Sequence, residues 1–170
     1  MAMSASAIAK IQIEQMFNGL ARCLDKGGAF LEAREIDEAV ALDWRLAPDM
    51  FGLKKQVQTA TEIPARSLSR LAGADLPTFD DNESSIAELK ARVESARAIV
   101  HALPNDAIDA SPDEIITLQT PGGDLTLPRG LFLANFIIPN LYFHVSAAYL
   151  HLRNMGVDIG KRDFLAAPEE

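Results

Sequence analysis

One histidine stands out because of its spacing from a nearby amide side chain. Asn140 and His144 lie four residues apart in an apolar stretch, so a helix would place both side chains on one face. Pro139 precedes them and removes a backbone donor, which leaves a helix carbonyl exposed. An imidazole and an amide can bind an organic ligand, and an imidazole can act as an acid or base. His144 is therefore the candidate catalytic residue, and a hydrogen-bonded core histidine is the structural alternative.

The other two histidines and the single cysteine favour structural roles. His151 lies near the end of the same apolar stretch, and we predict it at the surface. His101 lies near the end of another predicted helix, where a positive charge is favourable. Cys23 is predicted in the core. Because it is the only cysteine, one chain can form neither an intrachain disulfide nor a cysteine-based zinc site.

No nucleophile motif, glycine-rich phosphate loop or paired-carboxylate spacing occurs elsewhere in the sequence. The acidic run Asp80-Asp81-Asn82-Glu83 lacks the alternating ligands and the distal glutamate of a calcium loop. Acidic side chains stabilise a helix start, so this run predicts a capping loop.

The charge and hydropathy of the chain exclude several classes of function. The net charge of -8 repels phosphate backbones and anionic lipids, which argues against a nucleic-acid partner. No uninterrupted apolar run approaches the ~18 residues of a membrane span, and the N-terminus does not resemble a secretory signal. We therefore expect a cytoplasmic protein without a membrane partner.

Helical periodicity predicts four long helices that would position these side chains. The first runs from Ser4 to about Leu24, and Gly27-Gly28 loosens its end; a short turn follows near residues 36–42. The second helix has Pro48 in its first turn and ends near Gly73. Their apolar stripes are Ile13, Met16, Phe17, Leu20, Cys23 and Leu24 in the first helix and Leu53, Val57, Ala60, Leu68 and Leu71 in the second.

The third and fourth helices follow a proline-containing loop. Ser84 or Asn82 is predicted to cap the third helix, which ends at Pro104. The fourth runs from Arg129 to Met155 with a kink at Pro139. The third helix has the apolar stripe Ile86, Leu89, Val93, Ala96, Val100 and Leu103, with Glu88, Lys90, Arg92, Glu94 and Arg97 toward solvent.

Between the third and fourth helices, two β-rich runs flank a glycine turn, which predicts a small hairpin near residues 114–127. The predicted fold is all-α: a four-helix bundle with this one hairpin. We expect a single domain over residues 1–165 and a disordered tail over 166–170.

Three blocks resemble a known family. They are 46–58 (Leu-Ala-Pro-Asp-Met-Phe-Gly-Leu-Lys-Lys-Gln-Val-Gln), 79–89 (Phe-Asp-Asp-Asn-Glu-Ser-Ser-Ile-Ala-Glu-Leu), and 139–153 with 156–165. Together they resemble an uncharacterised bacterial family of domains of unknown function within the DinB/YfiT-like superfamily. The resemblance implies a bundle with up-down-down-up helix directions and a homodimer.

The resemblance also implies where a metal would bind. Better-known DinB-like proteins bind nickel or zinc through one histidine on helix two and an H-x-x-x-H pair on the last helix. His144 matches the second histidine of that pair, Asn140 falls on the first, and Gln56 lies near the helix-two position. Carboxamides bind these metals far more weakly than imidazole, so we expect no cofactor. Zinc or nickel, held by His144, is the alternative that the resemblance leaves.

Three functions follow from these residues, and the sequence leaves open whether the protein is an enzyme. The first is binding of a small molecule in a polar pocket of Gln56, Asn140, Tyr142 and His144. The second is a metal-dependent enzyme of the thiol transferase or hydrolase type, as in some DinB-like relatives. The third is a non-catalytic dimeric interaction protein, in which the polar residues only set the register of the core.

Overall fold

The computed structural model describes residues 3–120 and 122–167, and these are mostly helical with one two-stranded hairpin, as predicted. The helices are α1 (Ala5–Ala33), α2 (Glu38–Asp43), α3 (Leu53–Ala72), α4 (Ile86–Ala102), α5 (Asn105–Asp109), α6 (Arg129–Phe132), α7 (Ile138–Met155) and α8 (Lys161–Phe164). The strands are β1 (Ile115–Thr120) and β2 (Gly123–Pro128), and a π-helical turn (Leu133–Ile137) joins α6 to α7.

The core lies where the apolar periodicity places it. Every residue of the three predicted stripes is buried, and Cys23 is among them. Burial raises the pKa of the Cys23 thiol to about 12, so at neutral pH the sulfur is protonated and poorly nucleophilic. The predicted core is therefore confirmed.

The four long helices contact one another in a cycle, in which α1 and α3 each pack against both α4 and α7. Lys10 near the start of α1 donates to the Leu103 carbonyl at the end of α4, while Asp25 further along α1 pairs with Lys90 near the start of α4. These two helices therefore run in opposite directions.

The connecting segment 74–84 has neither helix nor strand and runs back along α3. Arg66, in the second half of α3, donates to the Pro77 carbonyl at 2.9 Å. Lys55, near the start of α3, pairs with Asp81 at 2.9 Å. Because the segment returns to the start of α3 before α4 begins, α3 and α4 run in the same direction.

Helix α1 continues beyond Gly27 and Gly28, so the predicted end near these glycines is wrong. A Cβ on Gly27 would lie 2.8 Å from the Leu152 side chain, and one on Gly28 would lie 3.4 Å from Ile86. The two glycines therefore permit close packing against α7 and α4 rather than ending the helix.

Two predicted helix starts are also corrected. Pro48 lies in a turn before α3, whose N-cap is Gly52. Helix α4 is capped by Ser85, whose hydroxyl accepts from the Glu88 amide at 3.1 Å, and not by Ser84 or Asn82. Both errors shift a boundary by a few residues and leave the buried faces unchanged.

The predicted fourth helix is present as one helical stretch from Arg129 to Met155, interrupted as expected near Pro139. The interruption is a π-helical turn that ends just before the proline, and such turns accommodate irregularities in backbone hydrogen bonding. This stretch is long and apolar enough to cross a membrane by length and composition alone. Its α7 part packs against α1 and α3.

The hairpin forms where it was predicted, with Ile115 opposite Pro128 and Thr120 opposite Gly123. Arg129 ties its base to the rest of the molecule, since its guanidinium donates to the Leu71 carbonyl at the end of α3 and pairs with Glu114.

The tail prediction concerns residues 166–170, of which 168–170 lie outside the described residues. The amides of Ala166 and Ala167 donate to the carbonyls of Asp163 and Arg162, at 3.0 and 2.9 Å. With Ala166 in the left-handed conformation, these bonds cap the C-terminus of α8. The disorder of the tail stays a prediction.

Candidate functional site

The structure pairs the two polar residues that the sequence placed on different helices. Gln56 in the first turns of α3 and His144 in the middle of α7 are both buried. The Gln56 side-chain oxygen Oε1 and the His144 ring nitrogen Nδ1 lie 2.7 Å apart. This hydrogen bond crosses the interface between the two helices.

A second contact orients the glutamine amide and thereby the proton of the histidine. Gln56 Nε2 donates to the Phe51 carbonyl at 3.3 Å, so Oε1 is the atom turned toward the ring. A carbonyl oxygen can only accept, so His144 Nδ1 must carry the proton. The neutral imidazole then has its lone pair on Nε2.

Burial keeps the ring neutral. It lowers the pKa of His144 from 6.5 to about 4, because the charged imidazolium loses hydration in the helix interface. At neutral pH, Nε2 is therefore an unprotonated acceptor. No other described residue hydrogen-bonds to it, and the side chain keeps about 7% of its surface exposed. This nitrogen is the open position of the site.

Two exposed aromatic rings border the imidazole. The Phe51 ring is nearly parallel to it, at 17° and 6.4 Å between centroids, and the Phe143 ring meets it edge-on at 5.1 Å. The next residue, Gly52, lets the chain pass close to the end of α2, because a Cβ there would lie 3.1 Å from the carbonyl oxygens of Leu42 and Asp43. The buried polar pair Gln56–His144 is thus bordered by the apolar rings of Phe51 and Phe143.

Asn140 lies one turn before His144 but bonds to its own helix. Its Nδ2 donates to the Phe136 carbonyl at 2.7 Å, within the π-helical turn. No described residue hydrogen-bonds to its Oδ1, which remains an available acceptor next to the site. The structure therefore brings Gln56 and His144 into contact and leaves Asn140 beside them.

Tyr142 is placed elsewhere. It lies two residues before His144, which is about 200° around an α-helix, so its side chain leaves α7 on the opposite side. It is half-buried against the core there. Tyr142 therefore does not share the face of α7 that carries His144.

His151 is fully buried, so its predicted surface position is wrong. It lies seven residues after His144, and two helical turns return it to the same buried face. Its Nδ1 bonds to the Ala147 carbonyl at 2.7 Å, and its Nε2 has no partner within the described residues. His101 is exposed near the end of α4, as predicted, and bonds to Glu14 at 2.9 Å.

A second buried polar group was missed at the sequence level. Arg92 was predicted toward solvent, but its side chain is buried between α3 and α4. Its guanidinium pairs with Asp81 and Glu83 at 2.8 Å each and donates to the Thr61 hydroxyl at 2.9 Å. The signal was its position three residues after Leu89, within the apolar stripe of the helix. The acidic run thus binds a core arginine rather than capping α4.

Residues 7–165 match the family described as Domain of unknown function (DUF1993). The chain belongs to this family. A crystal structure of a DinB family member protein from Shewanella denitrificans is similar, with a TM-score of 0.83 and 34% identity over 95% of this chain and 91% of that one. No curated protein matches the chain. The protein is therefore DinB-like.

The residues of this DUF1993 protein do not fit the metal centre of its better-known DinB-like relatives. Gln56 and Asn140, which the family resemblance assigns to two of the three ligand positions, carry amides, and Gln56 Oε1 accepts the proton of His144 Nδ1. No group of three His, Cys, Asp or Glu side chains that could hold a metal occurs among residues 3–120 and 122–167. Only the imidazole Nε2 is a strong zinc or nickel ligand here.

Proposed function

We propose that this DUF1993 protein binds a small organic molecule at His144, between the exposed rings of Phe51 and Phe143. The observation that carries the proposal is the buried 2.7 Å hydrogen bond between Gln56 and His144. It fixes a neutral imidazole with an unprotonated Nε2 at the rim of the helix interface. A buried polar group with an unused acceptor is a typical anchor for a ligand.

The chemistry of these groups describes the ligand. Nε2 of His144 and Oδ1 of Asn140 both accept hydrogen bonds, so the ligand carries a donor such as a hydroxyl or an amine. The two phenylalanine rings favour a flat apolar body. The net charge of -8 disfavours an anion. A neutral or cationic phenol or aromatic amine combines these properties.

The wider proposal covers features that the family resemblance implies. It comprises an up-down-down-up four-helix bundle and a cytoplasmic homodimer without nucleic-acid or membrane partners. The opposite directions of α1 and α4 and the shared direction of α3 and α4 support the bundle. The net charge supports the absence of nucleic acid. The proposed site needs no metal, since its groups act through hydrogen bonds.

A thermal-shift screen with phenols, anilines and benzylamines tests the ligand proposal, because a molecule that binds only the folded state raises Tm. We expect a saturable rise with at least one compound class in the wild-type protein. The double variant Gln56→Leu/His144→Phe should lose this rise, since it replaces both polar partners by apolar side chains.

The matched control is Val40→Ser, which changes an apolar side chain on α2 that is 59% exposed. It should keep the wild-type response. A rise of equal size in wild type and in the double variant would contradict the proposed site, because the compound would then bind elsewhere. The same holds if no compound of these classes raises Tm.

Metal analysis of tag-free protein tests the proposal that the site needs no metal. Without supplementation we expect well under one equivalent of zinc or nickel, because only one strong ligand is present. The variant Asn140→His/Gln56→His should bind more of either metal. Stoichiometric metal in the wild-type protein, lost in His144→Ala, would show that a metal centre survives through other ligands.

A further inference from the structure

A cavity of about 280 Å³ lies where the last turns of α1 and α7 meet α2. Leu31 and Ala41 in its lining are buried, whereas Val40 and Trp44 are 59% and 44% exposed, so it opens to solvent beside α2. A dry apolar cavity of about 150 Å³ holds a benzene molecule. This cavity therefore has room for a small organic molecule. Its apolar lining consists of Leu31, Ile36, Val40, Ala41, Trp44 and Met155.

The cavity is separate from the candidate site at His144. Asn154, which also lines the cavity, follows His144 by ten residues on α7 and lies about 15 Å further along the helix axis. Gln56, Phe51 and Phe143 do not belong to the lining. A molecule in the cavity would thus be held by a different set of side chains.

Trp44, the only tryptophan of the chain, is fixed at the cavity. Its indole N–H donates to the Asn154 side-chain oxygen Oδ1 at 3.0 Å, which ties the end of α2 to the last turn of α7. The guanidinium groups that lie over rings in the described part of the chain contact Phe30 and Phe79, and none covers Trp44. Since indole is the best aromatic partner for a cation, an exposed and uncovered indole ring suits a positively charged ligand.

The charges around the cavity also favour a cation. Its described lining residues are uncharged, so no basic side chain occupies the space. Residues 32–45, which form the α2 side, contain five acidic and two basic residues. At the end of α7, Arg153 and Asp158 balance each other. Helices α1 and α7 both end beside the cavity, and the C-terminal end of a helix carries a partial negative charge.

We propose that this cavity binds a small organic cation with a compact apolar body, of the quaternary ammonium class, whose methyl groups contact the Trp44 ring. Such a group donates no hydrogen bond, so it needs an aromatic face and a negative surrounding rather than an acceptor. No described residue accepts from Asn154 Nδ2, which can therefore donate to a hydroxyl or carbonyl oxygen on the same molecule. The inference adds a second site and does not rest on the ligand proposed for His144.

A titration with choline tests the charge requirement, because 3,3-dimethylbutan-1-ol has the same shape without the charge. The fluorescence of Trp44 reports on the cavity directly, and calorimetry measures the same affinities independently of the indole. We expect saturable binding of choline, about tenfold tighter than binding of the alcohol, with sodium chloride at equal ionic strength as the blank. Absence of saturable choline binding in both measurements, or equal affinity for the two compounds, would overturn the proposal.

Variants locate the bound cation. Val40→Lys places an ammonium group at the mouth of the cavity and should abolish choline binding; the exposed position leaves the fold intact. The matched control is Ile11→Lys, the same change of charge at a 57% exposed residue of α1, about 30 Å from Leu31 along the helix. This control should bind choline as the wild-type protein does. Unchanged binding in Val40→Lys, or an equal loss in Ile11→Lys, would place the cation elsewhere and refute the assignment.

The variant Gln56→Leu/His144→Phe separates this site from the one proposed at His144. It should bind choline with wild-type affinity, even though it is expected to lose the response to phenols and anilines. Loss of choline binding in this variant would mean that the cation occupies the His144 site, which would contradict a second site. Failure of the phenol and aniline screen leaves the choline result unaffected.

Discussion

Helix α3 takes part in two buried polar groups that differ in how completely they are satisfied. Toward α4, the Gln58 side chain donates to Glu83 at 2.7 Å, and the same carboxylate pairs with Arg92. Toward α7, Gln56 accepts from His144. The first group contains full charges, and the second is neutral at pH 7.

In the Arg92 group the charged atoms bind one another. The guanidinium is held by Asp81, Glu83 and Thr61 and is covered by the Phe79 ring at 4.4 Å. The charged atoms of Arg92, Asp81 and Glu83 are thus paired within the group, which fastens the connecting segment 74–84 to the bundle.

In the His144 group one ring nitrogen remains unused, and it lies at the rim rather than in the centre. Burial and polarity are thus shared by both groups and do not identify a site. An unused acceptor at the rim, His144 Nε2, does, whereas the unpartnered Nε2 of His151 lies on a fully buried side chain. The predictions below separate a fastening role from a binding role.

The largest effect is expected from Arg92→Met. Removal of one partner from a buried ion pair typically costs about 3–5 kcal/mol, because Glu83 stays partly buried without its counter-charge. Urea unfolding should show this loss. Arg97→Met on the same helix is the control, since Arg97 is more exposed and should cost about 1 kcal/mol or less. A loss below about 1 kcal/mol for Arg92→Met would show that the cluster does not fasten the segment.

The next effect is a pH dependence that belongs to His144. Its folded pKa of about 4 lies below the ordinary value of 6.5, so between these values the unfolded chain binds more protons than the folded one. Stability should therefore be complete above about pH 6.5 and fall as the pH drops toward 4, by about 2–3 kcal/mol.

The variant His144→Gln isolates this contribution. Carboxylates such as Glu83 and Asp81 also have lowered pKa values, but their effect lies at lower pH and is common to both proteins. The difference in unfolding free energy between wild type and variant should change between pH 6.5 and 4. A constant difference over this range would mean that the imidazole is not held neutral by burial.

A smaller effect is expected from the Gln56–His144 hydrogen bond. Gln56→Leu leaves the proton on Nδ1 without an acceptor and should cost about 1–3 kcal/mol. Gln56→Leu/His144→Phe removes both partners and should regain most of that loss. Chemical denaturation of the two single variants and the double variant measures the coupling. Additive losses would show that the two side chains act independently.

Much of the fold follows from local patterns in the sequence. The 3-4 spacing of apolar residues located the buried face of three long helices, and the paired β-rich runs located the hairpin. Both signals depend on neighbours along the chain. Gly27 and Gly28 were misinterpreted because their role depends on Leu152 and Ile86, which approach from other helices.

The site was predictable only in part, because some of its contacts come from residues that are distant along the chain. Asn140 and His144 share a helix, so their proximity follows from spacing, whereas the Gln56 position came from the family resemblance. The direction of the Gln56 amide depends on Phe51, which no pattern reveals. Arg92 was missed because its acceptors lie in a loop whose path along α3 cannot be derived from periodicity.

The smallest effect is expected from Lys55→Met, at the outer edge of the Arg92 group. Lys55 and Asp81 pair at 2.9 Å, but their side chains are 42% and 36% exposed, so water and salt screen the interaction. Exposed pairs are typically worth about 0–1 kcal/mol. Asp81 also keeps its contact with Arg92, so the connecting segment 74–84 should stay in place. Urea unfolding should show a loss well below that of Arg92→Met. A comparable loss would mean that the exposed lysine holds the segment. The buried arginine would then not be what distinguishes the Arg92 group from the His144 group.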